Sequence, residues 1–471
     1  MDARLSIVVA CAGGALMGLL YTLSPMTVWF GVSMIPLFLW AGSGLGRRER
    51  VWVFGLLASA VVLRVLAVGV LFLASPQDGA FSVLIPDEGH MGFRARALRY
   101  IALDVPLSRQ DYADSASLYG QSGLHYVHAY LQLLIGETPY AIRLLHSALY
   151  LTGCVALYRT VRPVFGAPAA LGGLAIVLFL PSLFVWSITY LKDPPYAYLT
   201  AFAVAAAVAG MRRDSRWGAR VLAWSLVACV LAAVHSVRPG GEFIVAGGLG
   251  IGVVGTFLLG RPRLLSVVLA ACLAGTAVGL QVPRVQQVAT GLLAQAARNH
   301  VGFITSGGWT YKVLDPEFYT RMDDGAAIPI ERSDFTLASS ARYIVRATAS
   351  FFLIPFPWSG ESWSVAAYLP EQLVWDLLLV LALVGVVAGL RLDVTLTITL
   401  AAVIVVGAVA IGMTSGNVGT LVRHRAMVTL LIPWLGSLGA CEVLAWAARF
   451  RRGVPRQDRT AIQQGEMRAA Y

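Results

Sequence analysis

The run Val51-Trp52-Val53-Phe54-Gly55-Leu56-Leu57-Ala58-Ser59-Ala60-Val61-Val62-Leu63-Arg64-Val65-Leu66-Ala67-Val68-Gly69-Val70-Leu71-Phe72-Leu73-Ala74 holds one charge, Arg64, in an otherwise apolar stretch. At about 1.5 Å per helical residue it reaches some ~36 Å, enough to cross a hydrocarbon core of about 30 Å. Shortly after it comes Ile85-Pro86-Asp87-Glu88-Gly89-His90-Met91-Gly92-Phe93, which opens the first sizeable polar segment of the chain. Two adjacent carboxylates, Asp87 and Glu88, thus emerge at a membrane surface, and Pro86 and Gly89 bracket them with turn chemistry. An exposed acidic turn is the plain alternative to a functional pair.

The pattern of the first run recurs along all 471 residues. Hydrophobic residues make up 58% of the chain and charged ones 13%, against about 25% charged in soluble domains. The mean hydropathy is +0.71. These values exclude a soluble globule and predict an all-α polytopic membrane protein, since runs of roughly 20 apolar residues imply helices rather than a barrel. The net charge of +11 comes from arginines scattered over loops. It reads as topology and contact with anionic membrane lipid, with no nucleic acid as partner. Cys11, Cys154, Cys229, Cys272 and Cys441 all fall in apolar runs without short spacings, so buried, unlinked thiols are expected.

Arginine placement orders about twelve spans. Spans at about 5–23 and 26–42 close at Ser24-Pro25, and Arg47, Arg48 and Arg50 mark a cytoplasmic loop by the positive-inside rule. Span 51–74 then leads to a first outer region, 75–140. There Phe93 to Leu103 and Leu124 to Ile135 read as juxtamembrane helices. Spans at 141–158 and 167–188 follow, then one descending to Arg212, one climbing to His235 through Pro239 and one returning to Arg261, and a span at 264–282. A second outer region, 283–371, opens on an expected amphipathic helix with Val285, Val288, Leu292, Leu293 and Ala296 on one face and reaches Phe351 to Trp358 at an interface. Spans at 372–390, 394–413 and 426–447 complete a membrane domain of residues 1–448, followed by a basic tail, 449–471, with both termini inside. Trp29, Trp358, Trp363 and Trp375 read as interface anchors.

Cations on the outer side run against the topology rule and therefore carry information. The chain has only two lysines, Lys192 and Lys312, both on that side. Asp193 precedes Pro194, so Asp193 reads as an N-cap with proline at the first helical position. A lysine beside a helix start makes an anion site; its plain alternative is a headgroup anchor. Arg238, before Pro239, and Arg423-His424-Arg425, after Gly416-Asn417-Val418-Gly419, repeat the arrangement. Three such starts suggest one polyanionic ligand, such as a lipid-linked phosphate; snorkelling to headgroups is the alternative for each arginine. Arg64, in mid-span, must face protein or water. His90, His125 and His128 could join Asp87 and Glu88 on a metal, but no tight ligand spacing supports it.

These features, in this order and on this side of the membrane, resemble the GT-C superfamily of membrane glycosyltransferases, which includes protein O-mannosyltransferases and the aminoarabinose transferases that modify lipid A. The resemblance is clearest over about residues 51 to 260. It rests on Asp87-Glu88, on the segment Tyr119 to Gly136, on Arg143-Leu144-Leu145 opening a span that closes with Arg159 through Gly166, and on Ser187 to Pro195. Asn417 to Arg425 adds a looser match. Where many members carry a Pro-Pro pair before the juxtamembrane helix, this chain has Ser122-Gly123-Leu124-His125.

The resemblance implies a polyprenyl-phosphate-linked sugar as donor and a glycan, lipid or protein acceptor entering from the outer side of the inner membrane of a bacterial cell envelope. It implies Asp87 as general base, Glu88 orienting or binding the acceptor, and Lys192, Arg238, Arg423 and Arg425 holding the lipid phosphate. His90, Tyr190, Asp193 and His424 would be supporting residues, with cofactor and metal left open. Two other readings stay open: a polysaccharide polymerase or ligase using lipid-diphosphate donors, and a twelve-span lipid or solute transporter, the latter favoured by Arg64.

Overall fold

The computed structural model describes residues 13, 16, 25–74, 86–116, 122–136, 139–212, 216–305, 309–323, 330–356 and 363–451. Among these the chain is helical, apart from an isolated antiparallel bridge between Thr310 and Asn417. Helices α1 (Pro25–Gly42) and α2 (Arg47–Leu73) form a hairpin. Next come α3 (Pro86–Ala102), α4 (Arg109–Ala116) and α5 (Gly123–Ile135), then α6 (Pro139–Phe179), α7 (Pro181–Ser187), α8 (Asp193–Met211), α9 (Trp217–Val237), α10 (Gly241–Leu259) and α11 (Pro262–Gly279). The remainder comprises α12 (Pro283–Thr305), α13 (Pro316–Asp323), a short 3-10 turn (Arg332–Asp334), α14 (Leu337–Leu353), α15 (Trp363–Leu392), α16 (Val394–Thr414), α17 (Val418–Thr429) and α18 (Ile432–Arg451).

Among the described residues, nine helices are long and apolar enough to cross a membrane, and ten if α17 and α18, bent by 70° at their junction, count as one crossing. Of the span expected at 5–23, residues 13 and 16 alone are described, both helical. Two expectations need correction, while the division between the spans expected at 141–158 and 167–188 stands: α6, 41 residues long, is broken at Gly166, whose φ of 81° and ψ of 164° are not helical. Straight, it would measure about 60 Å, twice the hydrocarbon thickness, so the glycine divides it into two arms. The second arm stops at Phe179 rather than at 188, because Pro181 restarts the chain as the separate short helix α7. The last span does not begin at 426: α17 ends at Thr429 and α18 starts at Ile432 in another direction.

The break between α6 and α7 explains Arg64. Its Nε donates to Ser187 Oγ at 2.9 Å, Nη1 to the Ala60 carbonyl at 3.2 Å and Nη2 to the Leu178 carbonyl at 3.2 Å. The guanidinium also lies 5.4 and 4.9 Å from the ring centroids of Tyr150 and Phe184. A helix that ends inside a packed protein body leaves carbonyls without intrahelical partners, and a cation there satisfies them and the helix dipole together. Arg64 is buried and its role is structural.

The opposite end of the α2–α6 contact is closed by Glu49, which pairs with Arg162 at 2.8 Å and accepts from the Tyr158 hydroxyl at 2.7 Å. At the α15–α18 crossing, a Cβ on Gly385 or Gly439 would stand 1.8 or 1.9 Å from the carbonyl oxygens of Leu435 and Leu381, so only glycine permits this approach. Of the expected thiols, Cys154 is buried, but Cys229 and Cys272 lie exposed on α9 and α11. Trp375 is buried rather than interfacial, its indole N–H donating to the Phe352 carbonyl at 2.9 Å. Trp358 falls outside the described residues. On α12 the valines and Leu292 expected on one face are exposed, while Ala294, Ala297 and His300 face inward.

Replacing Arg64 with Met removes the donors for a buried carbonyl and hydroxyl, which costs about 1–3 kcal/mol for each group left unsatisfied. Arg64→Met is therefore expected to lower the thermal unfolding midpoint of the detergent-solubilised protein by several degrees. An unchanged midpoint would show that Arg64 does not hold the α6–α7 break.

Candidate functional site

The polar centre of the protein is the loop Ile188–Lys192 between α7 and α8, and elements distant in sequence hold it by hydrogen bonds. Arg143, in the first turns of α6, donates to the Ile188 carbonyl at 3.0 Å. His146, one turn on, donates from Nδ1 to the Thr189 carbonyl at 2.8 Å. The Tyr190 amide donates to Glu88 Oε1 at 2.6 Å, and the Tyr190 hydroxyl accepts from Gln132 Nε2 at 3.0 Å. Glu88 Oε2 completes the frame with a 2.9 Å ion pair to Arg143, both side chains being fully buried.

Asp87 and Glu88 do not lie in a turn. Pro86 is the first residue of α3 and both acids sit in its first turn, where proline is pre-organised and carboxylates complement the helix dipole. Adjacent helical residues point about 100° apart, so the two acids have separate fates. Glu88 goes inward to Arg143, whereas Asp87 keeps 60% of its side chain exposed and meets Arg423 Nη1. His90, further along α3, is exposed.

Asp193 is not the N-cap of α8. Lys192 occupies that position and makes no side-chain cap, while Asp193 is the first helical residue. Asp193 is spent instead on ion pairs: its Oδ2 takes Arg423 Nε at 3.2 Å and its Oδ1 takes Arg238 Nη1 at 3.4 Å, with only 2% of its side chain exposed. Arg238 is the C-cap of α9 rather than the start of α10, and Arg423 lies in the second turn of α17, its guanidinium 5.9 Å from the Trp186 ring centroid. The result is a continuous chain of charge, Asp87–Arg423–Asp193–Arg238, drawn from four elements.

Lys192 adjoins this chain. Burial pushes its ammonium down to about 8, and the positive charges of Arg238, Arg423 and Arg94 push the same way. Among the described residues of the chain and Lys192 beside it there are three cations to two carboxylates, a setting that suits a multiply charged anion. The expected fourth phosphate ligand, Arg425, lies elsewhere. It is two residues from Arg423, about 200° around a helix; it donates to the Ile354 carbonyl and lies 4.9 Å from the Trp375 ring centroid. His424 is half-buried, 6.2 Å from Phe303 between ring centroids. Lys312 lies over the Tyr319 ring at 4.9 Å.

Arg423 is aimed by the 283–371 region. Tyr311 N–H donates to the Gly416 carbonyl at 3.1 Å and Val418 N–H to the Trp309 carbonyl at 2.7 Å, so this strip is stitched to the start of α17. Asn417 caps α17, accepting from the Thr420 amide at 3.3 Å. His300 donates to the Ser415 carbonyl and stands 3.3 Å from the Tyr319 hydroxyl.

The histidines make no metal centre with the acids. His125 Nδ1 accepts from the Ser122 amide at 3.1 Å, and burial pushes the ring down to about 4. His128 Nε2 faces His146 Nε2 at 3.1 Å. With the His146 Nδ1 proton committed to Thr189, the neutral pair has His128 donating and His146 accepting. Among the described residues no group of three or more His, Cys, Asp or Glu side chains could hold a metal ion.

Sequence reasoning missed Arg143 as the partner of Glu88, and it missed His146, Gln132 and Trp186. A charged residue four positions into an apolar span was the available signal for Arg143. Comparison with known proteins returns no match, whether against family models, curated proteins or solved structures.

Removing one partner of a buried ion pair leaves an uncompensated charge and costs about 3–5 kcal/mol, whereas removing both is far milder. Glu88→Gln and Arg143→Met are each expected to destabilise the protein strongly, and the double variant to melt above either single one. Additive losses in that cycle would mean the pair is not coupled.

Proposed function

We propose that the chain is an integral membrane glycosyltransferase of GT-C type, moving a sugar from a polyprenyl-phosphate donor to an acceptor on the non-cytoplasmic face. The observation that carries this reading is the contact of the solvent-accessible carboxylate of Asp87 with Arg423, inside a cluster that also holds Lys192 and Arg238. A base and an anion site side by side meet the two needs of transfer from a phosphate leaving group.

In this reading Asp87 takes the proton of the acceptor hydroxyl as its oxygen bonds to the anomeric carbon. The bond from that carbon to the phosphate oxygen breaks on the opposite face, with inversion, and its electron pair leaves on the phosphate. Lys192, Arg238 and Arg423 hold the charge that develops there. Arg425 is left out of this set because its guanidinium is directed to Ile354 and Trp375. Glu88 fixes the loop that presents Lys192 rather than touching acceptor.

The proposed topology is of twelve spans. The nine candidates, with α6 counted as two arms, the α17–α18 pair as one and the 5–23 run as one, give that number. Both termini are placed in the cytoplasm, and the cluster faces the periplasm or cell exterior. The transporter reading loses its main support, because Arg64 is occupied by the α6–α7 break. A polymerase or ligase using lipid-diphosphate donors is separated by donor identity.

Asp87→Asn is expected to lower the transfer rate of purified enzyme by about 10²–10⁴-fold while donor binding persists; transfer at the wild-type rate would remove Asp87 as the base. The amine of Lys192 loses its charge as pH rises through about 8, and a neutral amine cannot hold phosphate charge. The donor kcat/KM should therefore fall above that pH, and Lys192→Arg should move the fall upward. A pH profile of kcat/KM indifferent to Lys192→Arg would exclude the residue from the phosphate site.

A further inference from the structure

We propose that Asp87 is a displaceable latch on Arg423: an incoming phosphoryl group takes Arg423 from Asp87, so that anion binding uncovers the carboxylate and must come first. This rests on the phosphate-binding reading of the cluster and adds an order of events to it.

The two acids that share Arg423 are unequal. Asp193 has 2% of its side chain exposed and is held by both Arg423 and Arg238; giving up Arg423 would leave this buried carboxylate only the longer, 3.4 Å pair with Arg238 and no water to replace the lost contact. Asp87, at 60% exposure, can exchange its arginine for water at little loss. The guanidinium is therefore fixed to Asp193 through Nε, and the Nη1 contact to Asp87 is the one that opens. A phosphoryl group presents more than one anionic oxygen to the planar fork and has Lys192 and Arg238 as further partners, so it outcompetes a lone carboxylate.

The backbone need not move. Glu88, the next residue, is locked to Arg143 and to the Tyr190 amide, so Asp87 swings by side-chain rotation from a fixed helix start. By linkage, if the anion weakens the Asp87–Arg423 contact, that contact weakens anion binding to the same extent.

The test is calorimetric binding of inorganic phosphate and of dodecyl phosphate to the full chain in detergent. Asp87→Asn is expected to tighten binding by more than about twofold and up to about fivefold, the upper part of the range for a partly exposed ion pair. In an Arg423→Gln background the same substitution should change affinity by less than about twofold. Arg423→Lys serves if the glutamine variant does not fold, since a single ammonium has no fork to share. Unchanged or weaker binding in Asp87→Asn overturns the latch, as does an equal gain in both backgrounds, which would be through-space repulsion alone. Failure of the wild type and Asp87→Asn alike to bind either phosphate would bring down the phosphate site itself, a pattern distinct from loss of the latch. A gain seen with both probes, or with dodecyl phosphate only, supports the latch and assigns the ligand to phosphate in general or to a lipid headgroup respectively.

Discussion

The geometry of the site depends on one buried ion pair, Glu88 with Arg143. Each side chain is fully enclosed, and each also grips the Ile188–Lys192 loop, Glu88 through the Tyr190 amide and Arg143 through the Ile188 carbonyl. Desolvating two charges is expensive, and a buried pair is weak evidence for stability. What it supplies here is position. The pair joins the start of α3 to the start of α6 and places the loop between them, so Asp87 and Lys192 are set by the same four groups. His146 and Gln132 add bonds to the same loop, which leaves its backbone few alternatives.

The other half of the site is delivered by breaks in helices. The α6–α7 break puts orphan carbonyls inside the membrane-spanning body, where only protein can satisfy them, and Arg64 does so. The 70° bend between α17 and α18 turns a short helix across the bundle and carries Arg423 to Asp193. Without it, Arg423 would continue along the axis of α18. The 309–314 strip and His300 hold the start of α17, so the second polar region acts on the site by fixing this helix, and its described residues contribute no charge to the ion-pair chain.

Much of this was legible in the sequence. Hydropathy and arginine placement gave the helical membrane class, and the acids after the third span and the odd cations at Lys192, Arg238 and Arg423 pointed to one cluster. What could not be read was pairing. Asp193 before Pro194 has the local pattern of a cap, yet two arginines 45 and 230 residues away claim its carboxylate. Asp87 and Glu88 look alike in sequence and differ only because a helix, not a turn, separates their directions. Arg423 and Arg425 look like a pair, but helical period sends them to opposite sides. The bend after Thr429 interrupts a stretch that periodicity reads as one continuous span.

Positive charge is concentrated in this cluster. Burial lowers the Lys192 ammonium first, and Arg238, Arg423 and Arg94 are close enough to depress it further, so these cations repel one another. A fold tolerates such repulsion only where rigid surroundings prevent the charges from separating, and the Ile188–Lys192 loop and α17 are each fixed from several sides. Donors held apart from solvent and already aimed do not have to reorganise when an anion arrives. Asp193, buried between Arg238 and Arg423, offsets part of the repulsion without covering the cluster. Asp87 offsets a further part from an exposed position, its contact with Arg423 open to solvent.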